Sequence, residues 1–477
     1  MNRGSILLER AEREAAGGAD PLPTLEKALA DLSKAIQLNP RESRALNNRG
    51  LVHYRVGLRA VSRGADPLDS FRKALAEFDA SLAVEPGFVF ALNNRGLVGR
   101  DLGEWQAAHG ADPREAWDAA VAALDAAIAR SPDYPLAYQN RGDVHWKRGE
   151  WEMGRGEDAG EWFLRAEGDY GRVLALNPEH HGAFNSRASV RWRMAEWEMR
   201  SGKDPTPRIE AAAADFAEAI RLNPTSGYLH NNRGNLYWTL GEWRARAGID
   251  PEEAYGKALV DFGEAVRLRP DYAEPRNGRG IVLWRRGEWE LRSGKPPRKS
   301  WEKAIAEFDE LLRLAPDHTH APNNRGNVWS KLGDLDASRG KDPREAYAKA
   351  EADFEEGLGR GSRPAEPANG LGIVRLHRAN WEAAHGLDAR PTFDAAIEAF
   401  GEALARNPRL AFAFSNRSET WRRLGDLLAG RGEDAAQAYA KAVEDAERAA
   451  GLNASDASIQ RCLEAARKAL GEWESRK

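Results

Sequence analysis

The side chains able to do chemistry in this sequence recur at one fixed interval of 46 residues, and most are amides, aromatic rings and charges. Amides stand at Asn47, Asn93, Gln139 and Asn185, and again at Asn231, Asn277, Asn323 and Asn369. A carboxamide carries both a donor and an acceptor, so a row of them can pair with successive peptide groups of an extended chain. The following residue adds Asn48, Asn94, Asn140, Asn232 and Asn324. The same amides could instead bond neighbouring backbone or pack at a helix start, and the spacing leaves both uses open. Seven residues after the first row come Tyr54, Trp146, Trp192, Trp238 and Trp284. Tryptophan is enriched at binding hot spots, but these rings could equally be buried under the next repeat. Carboxylates at Glu104, Glu150, Glu196, Glu242 and Glu288 would bias such a surface toward a basic or amine-bearing ligand.

Catalytic groups do not assemble in the same way. The ten histidines show no metal-ligand spacing: His180-His181 and His318-Thr319-His320 fall at turns between repeats. Cys462, the single cysteine, has no acid–base partner near it in sequence and reads as a packing residue. There is no Gly-x-x-x-x-Gly-Lys-Ser/Thr phosphate loop, and Gly359-Arg360-Gly361 reads as helix punctuation. Catalytic residues, metal and cofactor are therefore all expected to be none.

An arginine marks the phase of the repeat: Arg3, Arg49, Arg95, Arg141 and Arg187, then Arg233, Arg279, Arg325 and Arg417, with Leu371 in the ninth copy. Taking it as position 0, position 28 is acidic in eight repeats, among them Asp31, Glu77, Asp169, Asp215, Asp353 and Asp445. The ninth repeat lacks both partners, having Leu371 and Ala399. A buried charge needs a counter-charge, so the pattern predicts an ion pair within each repeat. The third repeat, with Arg95 and Ala123, is the exception.

The elements that must position these groups follow from the punctuation. Position 15 is glycine in every repeat, from Gly18 to Gly432, and suits the left-handed end of a helix. Asp two residues later, as in Asp66, and Pro after it, as in Pro67, read as an N-cap and a first helical residue. Proline at position 37, for example Pro40 and Pro86, closes a second helix. Each repeat is thus two antiparallel helices: helix A from about seven residues before the arginine to thirteen after, and helix B over about positions 18 to 34. Valines at position 3 and tryptophans at position 10, such as Trp105, Trp151 and Trp197, mark a packed seam. The expected layout is ten 46-residue repeats over 1–454 and a C-terminal capping helix over 455–477.

Within the second repeat the string Gly50, Ala74, Phe78, Pro86 resembles the tetratricopeptide repeat, and Ala at position 25 recurs in all ten repeats. The resemblance implies an all-α, right-handed α-solenoid of ten antiparallel helix pairs plus a capping helix. It implies that helix A lines the concave side, and that the partner is a protein or extended peptide. The family unit of about 34 residues is shorter, so both helices are lengthened here.

Composition agrees with a helical protein that is not a nucleic-acid binder. Basic and acidic side chains number 70 and 74, without the basic excess of a nucleic-acid surface. One cysteine excludes a disulfide framework within the chain. No secretory leader or membrane-spanning run is visible, and a cytoplasmic, membrane-free protein is expected. The function expected is a non-catalytic scaffold whose groove carries the amide, tryptophan and glutamate rows. The alternative is a self-assembling structural protein, with the N-terminal end as the expected site of self-association.

Overall fold

The computed structural model describes residues 2–360 and 365–476, and among them finds twenty-one α-helices and no strand. The chain forms two compact units, Met1–Leu236 and Tyr237–Lys477. Gly361 lies outside the described residues; its neighbour Gly359 ends the helix Arg344–Leu358. Helix limits follow the punctuation closely. In the second repeat helix A is Ser43–Ser62 and helix B is Leu68–Val84.

Each helix A stops at a glycine for a backbone reason. Gly64 has φ 68°, a left-handed conformation that costs glycine little. The next amide, on Ala65, then turns back to the Ala60 carbonyl at 2.9 Å, and Gly64 donates to Val61 at 2.9 Å. These bonds satisfy carbonyls that the helix end leaves open. The start of helix B differs from expectation by one residue. Pro67 is itself the cap (φ −87°), and Asp66 reaches across it to accept from the Leu68 amide at 2.8 Å. Proline has no N–H, so the aspartate satisfies the first donor beyond it.

The core is the same in every repeat. Ala at position 25 is at most 1% exposed in all ten copies, from Ala28 to Ala442. Large side chains at positions 22 and 29 flank it, as in Phe71 and Phe78 or Trp301 and Phe308, all fully buried. Helix A accommodates these rings by having glycine opposite them. A Cβ at Gly50 would lie 2.7 Å from the Phe78 ring, and one at Gly287 would fall inside the Trp301 indole. The position-10 tryptophans expected in the core are only half-buried. Trp151 lies edge-on to Trp117 of the preceding repeat, centroids 6.1 Å apart, while Arg114 and Arg155 cover its ring from solvent.

The arginine at position 0 meets its acid. Nitrogen–oxygen distances are 2.7 Å for Arg49–Glu77, 2.6 Å for Arg141–Asp169 and Arg187–Asp215, 2.5 Å for Arg325–Asp353 and 2.7 Å for Arg417–Asp445. In the ninth repeat Leu371 and Ala399 are buried in one apolar cluster instead. Arg95, without an acid in its own repeat, turns to Asp79 of the repeat before, at 2.9 Å.

Within each compact unit the helices form two layers. Helix A of one repeat approaches helix A of the next, whereas among the described residues no two B helices approach each other. Helix B touches helix A of its own repeat and of the following one. Residues that face outward from the A layer therefore share one surface.

Candidate functional site

The amide rows lie in the first half of helix A. Asn47, Asn93 and Asn231 are buried; Gln139, Asn185, Asn277, Asn323 and Asn369 are half-buried. The structure joins the two rows into one device. The side-chain amide of Asn94 donates to Asn47 Oδ1 at 2.9 Å, and that of Asn140 to Asn93 Oδ1 at 2.8 Å. Asn232 donates to Asn185 at 3.1 Å, Asn324 to Asn277 at 3.3 Å and Asn416 to Asn369 at 3.4 Å. Each rung links helix A of one repeat to helix A of the next. Its sequence signal was present: each of these donors stands one repeat after an asparagine of the first row. Where the next residue is Ser186, after Gln139, the pairing of two asparagines is not available.

The tryptophans expected on the same surface are also half-buried: Trp146, Trp192, Trp238 and Trp284. Trp146, Trp238 and Trp284 pack against the apolar clusters of their repeats. Their indole nitrogens are shielded from water and have no hydrogen-bond acceptor. The Arg285 guanidinium sits over the Trp284 ring, 4.5 Å from its centroid. Such a contact stabilises by about 0.5–1 kcal/mol where water reaches it.

The carboxylate row is not a field of free negative charge. A cation one repeat later faces three of the acids: Lys147 to Glu104 at 2.9 Å, Arg193 to Glu150 at 2.9 Å, Arg285 to Glu242 at 3.8 Å; Glu196 and Glu288 share Arg193 and Arg285, at 2.6 and 2.8 Å. The negative charge of the row is therefore partly compensated. The acids also accept hydroxyl protons from buried tyrosines: Tyr255 donates to Glu242 at 2.8 Å, and Tyr439 to Asp426 at 3.0 Å. Burial, with the Asp426 carboxylate beside it, pushes the Tyr439 hydroxyl up to about 12. Asp334 shows the opposite balance. Burial raises it, but the hydrogen bond and charge of His377, 2.7 Å away, bring its carboxyl below the ordinary aspartate value.

One polar group escaped the sequence reading. His145 is 5% exposed, and its Nδ1 lies 3.0 Å from Asp169, the acid that Arg141 also holds. Among the described residues no cluster of His, Cys, Asp and Glu has a metal-binding arrangement. Cys462 is half-buried, with Sγ 3.5 Å from the Ser415 carbonyl. No described helix is long and apolar enough to cross a membrane.

The family model of the tetratricopeptide repeat matches residues 114–171, which run from helix B of the third repeat into helix B of the fourth. That stretch exceeds one period, and the same phase continues through the chain on both sides. Residues 114–171 thus match the tetratricopeptide repeat, and the rest of the chain resembles them in phase. No curated protein matches the chain. Among solved structures, a tetratricopeptide-repeat protein described as having an unusual peptide-binding site, YrrB, is 18% identical, with a TM-score of 0.32 over 50% of this chain and 92% of that one. Yeast Tom70 is 13% identical, with a TM-score of 0.43 over 100% of this chain and 91% of that one. A tetratricopeptide-repeat protein from Parabacteroides merdae is 14% identical, with a TM-score of 0.36 over 68% and 98%. In this chain amide rungs and charge pairs tie neighbouring A helices together within each unit.

Proposed function

We propose that this protein is a non-catalytic scaffold that holds an extended segment of a protein partner along its layer of A helices. The observation that supports the reading is the amide rung, which recurs at Asn47 and Asn93 in the first unit and at Asn277 in the second. Solenoid repeats present extended surfaces of this kind. Neighbouring A helices lie about 10 Å apart, near a helix diameter. An extended peptide advances about 3.3 Å per residue, so one rung meets about every third ligand residue. The carbonyl oxygens of Asn93, Asn185, Asn277 and Asn369 are engaged by the next repeat, which leaves their N–H donors for a ligand. Trp146, Trp192, Trp238 and Trp284 supply half-exposed rings beside them. Each hydrogen bond contributes about 0.5–1.5 kcal/mol, so several must act together.

The test uses peptides selected from a random displayed library on the full-length protein. Asn185→Asp combined with Asn277→Asp keeps an oxygen to accept from Asn232 and Asn324 but removes the first-row donors. Binding should weaken by about tenfold or more while the melting temperature changes little. Unchanged affinity would assign these amides to holding the repeats together and sink the groove reading. A mass that rises with concentration, measured by light scattering in the absence of peptide, would favour the self-assembling alternative instead.

A further inference from the structure

Comparison of the repeats with one another exposes a place where the chain does not fill its own mould. At several junctions within each unit the side chain at position 10 packs toward position 22 of the repeat before. Trp151 meets Trp117 in this way, and Trp473 meets Tyr439 with centroids 6.2 Å apart. Trp197 packs on the cluster that contains Phe163. Where position 10 is only leucine, the ring below it is large: Leu335 packs with Trp301, and Leu427 with Phe393. One member of each pair is thus always aromatic at these junctions. Between the first and second repeats neither is. Position 22 is Leu25 and position 10 is Arg59.

The consequence is a cleft of about 630 Å³, floored by Ala11, Ala15, Pro21, Leu25 and Leu58. Its size falls in the range of about 300–1,000 Å³ usual for ligand sites. Leu58 makes the floor more apolar still, because position 9 carries an acid in most other repeats. Arg59 does not fill the space; its guanidinium turns to Asp20, with Nε 2.7 Å from Oδ1. Arg55 pairs with Glu12, and Arg63 approaches Asp20 at 3.6 Å. Three guanidinium groups thus face two carboxylates on the rim, leaving one positive charge uncompensated.

We propose that this cleft receives the indole of a tryptophan presented by an acidic segment of a protein partner. The apolar floor takes the ring as the other junctions take their own tryptophan, and the excess arginine charge meets the carboxylates beside it. The proposal rests on the scaffold reading and adds to it the chemistry of one anchor.

The probes are N-acetyltryptophan, its uncharged amide and N-acetylleucine, observed by ligand-detected NMR on the full-length protein. The expected order of affinity is N-acetyltryptophan, then the amide, then N-acetylleucine. Arg59→Trp supplies the side chain that stands at this position in seven other copies, and should both raise the melting temperature and reduce probe binding by about tenfold or more. Leu25→Trp fills the cleft from the opposite wall, with the residue that Trp117 supplies at the same position two repeats later, and should also abolish binding if the first variant folds poorly. Probe binding that survives both substitutions, or equal binding of N-acetylleucine, would overturn the proposal. Probe binding without any selected peptide binding would remove the scaffold reading and leave the cleft standing; selected peptides that bind while the probe does not would remove the cleft alone.

Discussion

Arg325 and Asp353 show what a single charge contributes inside a repeat. The carboxylate side chain is 6% exposed and the arginine 20%, so the pair is neither at the surface nor dry. Removing one partner of a fully buried pair costs about 3–5 kcal/mol. Water reaches this arginine, so Arg325→Leu should lower stability by about 2–3 kcal/mol. The ninth repeat supplies the remedy, since Leu371 and Ala399 pack in the same places. The double variant Arg325→Leu with Asp353→Ala should return to within about 1 kcal/mol of the parent in urea unfolding. A double variant as unstable as the single one would show that the cation, and not the stranded carboxylate, was the source of the loss. The single variant should also be pH-dependent. Burial already raises Asp353 above the ordinary aspartate value, and Arg325 only partly offsets this. A carboxyl whose folded pKa is raised favours folding in its protonated form, and that contribution is lost as pH rises through the raised value. Without Arg325 the value climbs further, so the deficit should be smallest near about pH 4 and reach its full size by about pH 7. A deficit that is flat across this range would mean that Asp353 stays solvated.

At the scale of the element, glycine does two opposite things within one repeat pair. Gly287 in helix A lies against the Trp301 indole with no room for a methyl group. Gly263 in the helix Glu252–Leu268 meets nothing within 4 Å. Gly287→Ala should therefore destabilise by about 1–3 kcal/mol through overpacking. Gly263→Ala should stabilise by about 0.5–1 kcal/mol, because alanine loses less entropy in a helix. Melting temperatures moving in opposite directions would confirm the helix-to-helix approach; two shifts of the same sign would contradict it. The glycine at position 1 was legible from recurrence within the sequence. The one at position 8 recurs just as regularly, at Gly57, Gly103 and Gly149, but its cause is not legible along the chain. Its reason is the ring at position 22, on the other helix, and periodicity along one helix does not show that ring.

At the scale of the whole molecule, the layer of A helices is held by bonds between repeats as well as by packing. The Asn140–Asn93 rung, at 2.8 Å, should show a coupling of about 0.5–1.5 kcal/mol in a double-mutant cycle of Asn93→Ala and Asn140→Ala. No coupling would mean that the rung contributes nothing to cohesion. At Asn93, Asn185, Asn277 and Asn369 the side-chain oxygen is committed to the neighbouring repeat, and at Asn47 the nitrogen is engaged as well, by Asn48. The same holds for charge, since Glu104 and Glu150 face Lys147 and Arg193 across the junction.

The sequence by itself determined the repeat, its phase, the limits of both helices and the pairing of Arg49 with Glu77 and Arg417 with Asp445. All of these are set by residues within one 46-residue period, where turn chemistry and a compensating loss of both partners can be read along the chain. Tertiary structure alone decided what happens between repeats. It turned two rows of asparagine into rungs, set cations against the glutamate row and left the position-10 tryptophans half-exposed rather than enclosed. It also opened the cleft beside Leu25, where two neighbouring repeats each lack a ring. These outcomes depend on which residue of one repeat lies against which residue of the next, a relation fixed by the stacking of the helices and not by the order of residues in either one.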